Sequence, residues 1–189
     1  LVVKLTRAEL DRFVGATADD LVGDHLRLLF VGINPSLWSA ATNSHFAHPG
    51  NRFLPALLEA EIITRPIERG RPMTDEDRAH LTERGVGITN IVQRATAKAS
   101  DLGPAELVAG GERLRRFVRR HEPVVVAIAG ITAFRTAFHE PRAAVGQQDA
   151  DLAGAELWVV PNPSGLNAHE TVASLAAAYR AAGAAAGIV

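Results

Sequence analysis

Hydrophobic positions in this chain fall into short, nearly unbroken runs separated by longer segments of helical character. Leu26 to Ile33 (Leu-Arg-Leu-Leu-Phe-Val-Gly-Ile), Gly85 to Val92, Val124 to Ala129 and Leu157 to Val160 are the four runs. Apolar stretches of this length, bounded by turn residues such as Asn34-Pro35, read as buried strands. Helices are expected between them. Thr6-Arg7-Ala8-Glu9 has capping-box spacing and predicts a first helix from about Arg7 to Val14. A polar loop from Trp38 to Asn51 leads into an apolar helix from Arg52 to about Glu61. Thr64 to Asp77, rich in Arg, Pro and acid, predicts a surface excursion and a short helix capped at Thr74. Pro104 suits the first turn of a long helix ending before Pro123. An Ala-rich helix from about Glu170 to Ala182 closes the pattern, with Gly183 as its stop.

Continuous apolar strands that alternate with helices imply a parallel sheet covered on both faces. The expected fold class is therefore α/β: a single three-layer α/β/α domain over residues 1–189 with a central four-stranded parallel sheet. Residues 1–25 are expected to form a helical extension packed on it. Composition agrees, since 47% apolar and 22% charged residues exclude a disordered chain. There are no cysteines, which removes disulfides, thiolate nucleophiles and cysteine-ligated clusters. The seven histidines show no metal-ligand spacing, so no metal site is expected. The longest apolar run, Val124 to Ile131, is far shorter than a membrane helix, and no export signal opens the chain. A soluble cytoplasmic protein, working as a monomer, is the expectation. Net charge is only -1, so no global basic field draws nucleic acid. Arg113, Arg115, Arg116, Arg119 and Arg120 read as a solvated helix face.

Candidate chemistry gathers where two strands end in the same tripeptide. Val31-Gly32-Ile33 runs into Asn34-Pro35-Ser36, and Val159-Val160-Pro161 runs into Asn162-Pro163-Ser164. Ligands of open parallel sheets bind at the carboxyl ends of the strands, where both Asn residues should sit. A pair of amides could grip a planar base or orient one water. Equally, Asn-Pro-Ser is turn chemistry, with each Asn bonding its own backbone. Phe46, in the loop before Arg52, could stack on a flat ligand or plug the helix start. His48, before Pro49, reads as a loop anchor.

Gly32-Ile33-Asn34-Pro35, Phe46-Ala47-His48-Pro49-Gly50-Asn51-Arg52-Phe53, Gly87-Ile88-Thr89-Asn90 and Asn162-Pro163-Ser164-Gly165-Leu166 carry a resemblance. In order and spacing, from about Leu26 to Arg180, they resemble the mismatch-specific uracil-DNA glycosylases. This is the bacterial Mug and thymine-DNA glycosylase branch of the uracil-DNA glycosylase superfamily. The resemblance implies a monofunctional, cofactor-free enzyme that removes uracil, and more weakly thymine, mispaired with guanine in double-stranded DNA. It implies that Asn34 holds the attacking water and that Phe46 stacks on the flipped base. Gly32, the backbone at Ile33, Ser39 near C5 of the base, Asn90 and Asn162 would complete the base pocket. Pro35, Ser36, Ser164, Gly165 and Asn167 would meet the DNA, with Leu166 as the wedge. Ser36 departs from the family's common Gly, and Trp38 sits beside the pocket. Asn167-Ala168-His169 lacks the Arg that often follows the wedge Leu.

The first motif offers only an amide, which cannot take a proton. Asp101, on the carboxyl side of the second strand, could orient the water or stabilise a positive sugar. It could equally be a cap before the helix at Pro104. A non-catalytic nucleotide or nucleic-acid binding domain and a free-nucleoside hydrolase are the competing classes.

Overall fold

A computed structural model describes residues 4–189. Its strands are β1 (Leu28–Gly32), β2 (Val86–Asn90), β3 (Val125–Ala129), β4 (Gly146–Gln147) and β5 (Glu156–Val160). They form one sheet of order β2-β1-β3-β5-β4. The four predicted strands pair in parallel, and two-residue β4 adds an antiparallel edge to β5. The sheet is thus five-stranded instead of four; β4 is too short to leave a hydrophobic pattern.

The continuous apolar runs follow from burial on both faces. Leu28, Phe30, Val125, Ala127 and Val160 point into one core, while Leu29, Val31, Val126, Ile128 and Val159 point into the other. Against the first core pack α3 (Phe53–Glu59), α4 (Asp75–Glu83) and α7 (Val172–Ala185), supplying Phe53, Leu57, Leu81 and Tyr179. Against the second pack α5 (Pro104–His121) and α6 (Ile131–Phe138), supplying Leu114, Val118, Phe134 and Phe138. Phe30, Phe53 and Tyr179 pack ring to ring, with centroids 5.0–5.8 Å apart. The three layers are those the sequence pattern implied.

Three details differ from the sequence reading. Helix α2 (Leu37–Thr42) occupies part of the expected polar loop, capped by the Ser36 hydroxyl at one end and by left-handed Asn43 at the other. The helix α6 follows β3 directly, in a segment to which the pattern assigned no element. Helix α7 runs through Gly183 to Ala185. A Cβ on Gly183 would lie 3.2 Å from Ile62 and 3.1 Å from Val189, so this glycine serves close packing and is not the stop.

Ahead of β1, α1 (Arg7–Asp11) begins with the predicted Thr6–Glu9 capping box but ends earlier than expected. The chain after it runs along the site's edge. Gly15 N–H donates to Ala95 O, Ala95 N–H returns to Ala16 O, and Leu21 exchanges both bonds with Ile88. The bridge covers the exposed edge of β2, which would otherwise be a site for unwanted strand pairing. Asp77, in the expected helix-start cluster, is buried and gathers Arg65 and Arg71 at 3.0 and 2.9 Å. Burial pushes its carboxyl up, but the Thr74 backbone and these two guanidiniums outweigh that and hold it below its ordinary value.

Candidate active site

The chain leaves β1 for β2 on one side and crosses from β2 to β3 on the other. At that reversal, an open α/β sheet parts into a crevice. Asn34 follows β1, Asn162 follows β5, and Gly130 follows the strand between them. With neighbouring strands ~4.8 Å apart, the two motifs start ~10 Å from each other. Gly130 has φ 132°, a backbone conformation that favours glycine. A Cβ there would come within 3.1 Å of Ile33 Cδ1 and 3.8 Å of Asn162 Nδ2. Ile33, Gly130 and Asn162 therefore converge on one point.

Asn34 does not fold back on its own turn. Its Nδ2 donates to Arg94 O at 2.9 Å and to Thr96 Oγ1 at 2.8 Å. Thr96 spends its own proton on Lys98 O at 2.7 Å, so toward Asn34 its oxygen accepts. A carbonyl accepts only, which fixes the amide's orientation. Both donors are engaged, and Oδ1 accepts no bond among the described residues. Pro35 O receives Thr96 N–H at 3.3 Å, holding the same two loops together. Ser36 accepts from Ser39 N–H at 3.1 Å, and the two hydroxyls lie 3.0 Å apart. Ser39, 3% exposed, thus sits in the first turn of α2 with its hydroxyl turned to Ser36.

Gly32, Phe46 and Asn90 meet at a second point. A Cβ on Gly32 would lie 2.5 Å from Asn90 Oδ1 and 3.4 Å from Phe46 Cζ, so only glycine fits. Phe46 adopts φ 55°, uncommon for an aromatic residue, and stacks on Phe53 with centroids 4.0 Å apart. Its ring stays half-buried. His45 explains how that geometry is held. Its Nε2 donates to Asp19 O at 2.8 Å, which leaves Nδ1 to accept from Asn90 Nδ2 at 3.4 Å. Burial holds His45 below its ordinary pKa, favouring the neutral ring this pattern requires. Asn90 is thereby turned with its oxygen toward Gly32.

Around Asn162, turn chemistry and an open donor coexist. Its Oδ1 accepts from Ser164 N–H at 2.9 Å, while Nδ2 donates no bond among the described residues. Its carbonyl accepts from Asn167 Nδ2 at 3.1 Å. Leu166, 92% exposed, stands at the loop tip. Gly165 packs so closely on the Gly50 carbonyl that a Cβ would approach to 2.6 Å. His48 acts as the expected loop anchor, accepting from Gly50 N–H at 3.0 Å. Trp38 meets the His48 ring edge-on at 6.0 Å.

Asp101 is exposed. Its carboxylate accepts from Lys98 N–H at 3.0 Å within a short 3₁₀ turn (Ala99–Asp101). It makes no bond to Asn34 and reaches it only through the loop that carries Lys98 and Thr96. Arg113 departs from the solvated face assigned to it. It donates to Asn90 O at 2.9 Å and to Asp20 at 2.9 Å, bracing the end of β2 from α5. Sequence reasoning also passed over Arg52, whose guanidinium grips the loop around Leu166. Neither role had a signal of its own in the sequence, because the partners are distant along the chain: backbone carbonyls for Arg52, and the Asn90 carbonyl and the Asp20 carboxylate for Arg113.

The solution NMR structure of a candidate uracil DNA glycosylase from Methanosarcina acetivorans has a similar fold. The two share 17% identity at a TM-score of 0.58, over 88% of this chain and 97% of that one. The sequence profile of the Uracil DNA glycosylase superfamily matches residues 20–182, a span that holds both Asn motifs, Phe46, Asn90 and the Leu166 loop. Such a match supports DNA glycosylase activity with DNA as substrate: the chain belongs to the Uracil DNA glycosylase superfamily.

Proposed function

We propose that this protein hydrolyses the N-glycosidic bond of uracil, and more weakly thymine, mispaired with guanine in duplex DNA, leaving an abasic site. It is read as monofunctional, monomeric and independent of a cofactor. The observation that carries this reading is the Asn34 amide, pinned through Nδ2 so that Oδ1 is left free to accept a hydrogen bond. An amide oxygen so fixed can accept one hydrogen of a water and hold it beside a sugar carbon without taking a proton. The partner feature is the open Nδ2 of Asn162 across Gly130. A departing uracil becomes an anion, and a preorganised amide donor stabilises charge that develops only in the transition state.

A base within a duplex is out of reach, so the nucleotide is flipped into the crevice at a cost of a few kcal/mol. Leu166 fills the gap it leaves, as apolar wedges do. Phe46 stacks on the base, Gly32 and Ile33 line its edge, and Ser39 lies toward C5. Pro35, Ser36, Ser164 and Asn167 face the DNA backbone. Asp101 enters as the anchor of the loop that presents Thr96 to Asn34.

Incubation with a uracil-containing duplex followed by hot alkali tests the reading. Strand cleavage at the uracil, faster for G·U than for U·A, is the expected result. Retention of duplex without cleavage, or turnover of free uridine instead, would replace it with a binding domain or a nucleoside hydrolase.

A further inference from the structure

Helix α5 presents one face to the chain leaving β2, on which Glu106, Gly110 and Arg113 recur at helical spacing. Arg113 donates to Asn90 O at 2.9 Å, and Gly110 lies against Ile91 O, where a Cβ would approach to 2.6 Å. Glu106, in the first turn, takes Arg94 in a fork: Nε donates to Oε1 at 2.5 Å and Nη2 to Oε2 at 2.9 Å. The helix thus lies along residues 90 to 94 as a splint.

Arg94 stands past the end of β2, and its own N–H donates no bond among the described residues. Its carbonyl is one of the two acceptors that fix the Asn34 amide. The same peptide group is held at its other end, where Ala95 N–H donates to Ala16 O at 2.7 Å. In a trans peptide N–H and C=O point opposite ways, so that bond aims Arg94 O back toward Asn34. On the α5 side the residue is held by the Glu106 fork and by a 3.2 Å bond from Nη2 to Asp101 O. The fork keeps the Glu106 carboxyl below its ordinary value, so both partners are charged at neutral pH.

We infer that Arg94 and Glu106 are positioning residues for the attacking water: held by α5, Arg94 O fixes the Asn34 amide, and Asn34 Oδ1 fixes the water. With Arg94 released, Nδ2 keeps Thr96 alone and the amide turns about its Cβ–Cγ bond, taking Oδ1 off the line on which it holds the water. The inference rests on the proposed role of Asn34 in base release. Its spectroscopic reading needs no substrate, so the two fail separately. The side chains are 40% and 31% exposed, and pairs this open add little to global stability, so variants should remain folded.

The test compares wild type with Glu106→Ala, Glu106→Gln and Arg94→Lys, each checked for folding by denaturant titration. On a G·U duplex, Glu106→Ala should slow single-turnover base release about tenfold, while affinity for a duplex with uncleavable 2′-fluoro uracil changes by less than about twofold. Glu106→Gln, keeping one acceptor oxygen and the native shape, and Arg94→Lys, keeping the charge without the fork, should fall between. Glu112→Ala, which breaks the Arg115 pair farther along α5, is the control and should change neither quantity. In ¹⁵N spectra of the free protein, the side-chain NH₂ of Asn34 reads the orientation directly. Its two protons should be well separated in the wild type, move toward the positions of a solvated amide in Glu106→Ala, and return part of the way in Glu106→Gln. Asn34 signals that stay fixed in Glu106→Ala would overturn the inference. So would an unchanged rate, a rate loss matched by lost affinity, or the same changes in Glu112→Ala. If the wild type releases no uracil, the proposed activity falls, and the Asn34 signals alone decide whether the pair orients the amide.

Discussion

Asn34 is oriented by what its nitrogen can reach, and that makes its variants informative. Asn34→Ala removes the water-holding oxygen but leaves the crevice and the Leu166 loop in place. Single-turnover base release should fall by roughly 100-fold or more, with duplex affinity nearly unchanged. Parallel losses of binding and rate would assign Asn34 to DNA contact. Ser39 bears on which base is accepted. A pocket discriminates one methyl by only about 1–3 kcal/mol, so Ser39→Ala should raise thymine excision relative to uracil by roughly 5- to 150-fold. An unchanged ratio of the two rates would remove Ser39 from the pocket. Asp101→Asn keeps an oxygen able to accept from Lys98 N–H, so as an anchor it should stay near wild-type activity. Loss of most activity at neutral pH, with the fold intact, would make the carboxylate itself part of the chemistry.

At the scale of elements, legibility tracked length. The four strands and the α3, α5 and α7 helices were readable because burial on two faces or one broad stripe leaves a pattern several residues long. Helix α2 holds only Leu37 to Thr42, too short for a period, although Ser36 before it and Asn43 after it are cap residues. The helix α6 lacks a side-chain cap because Gly130 precedes it, and that glycine is demanded by its φ of 132° and by Ile33, 3.1 Å from where a Cβ would stand. The repeated Asn-Pro-Ser was visible as a repeat, but not that only Asn162 uses its oxygen for a turn. Long-range partners decided that: Arg94 and Thr96 lie about 60 residues from Asn34. The Leu166 loop yields its own prediction. Leu166→Ala should cost more on fully paired U·A than on G·U, by about tenfold, because a weakened pair needs less help to leave the stack. Equal losses on both duplexes would argue against a wedge.

On the scale of the whole molecule, one histidine ties the N-terminal segment to the sheet edge that carries the site. His45 bridges Asp19 O and Asn90, 3% exposed, and Asn90 in turn meets Gly32 and Arg113. Burial lowers its pKa, as does the Arg78 charge, and the Asp19 carbonyl with the Asp20 and Asp19 charges offsets only part of this. The folded-state pKa therefore lies below the unfolded value of 6.5. Above that value both states are neutral and His45 adds no pH dependence. As pH falls below it, the unfolded chain takes a proton that the folded chain refuses, and stability declines by on the order of 1 kcal/mol per unit of pH. His80, lowered by burial and by the charges of Arg65 and Arg84, acts in the same direction on α4. Denaturant titrations between pH 7.5 and about 5 should show this loss in the wild type. His45→Gln, whose amide can still donate to Asp19 O but does not titrate, should flatten part of the slope, and His80→Gln a separate part. The His45 share should also move the site: Asn90 and Phe46 amide resonances should shift with the same midpoint in the wild type and stay fixed in His45→Gln. A pH slope that survives in the His45→Gln protein unchanged would mean the buried ring is not the group that couples protonation to this edge of the fold.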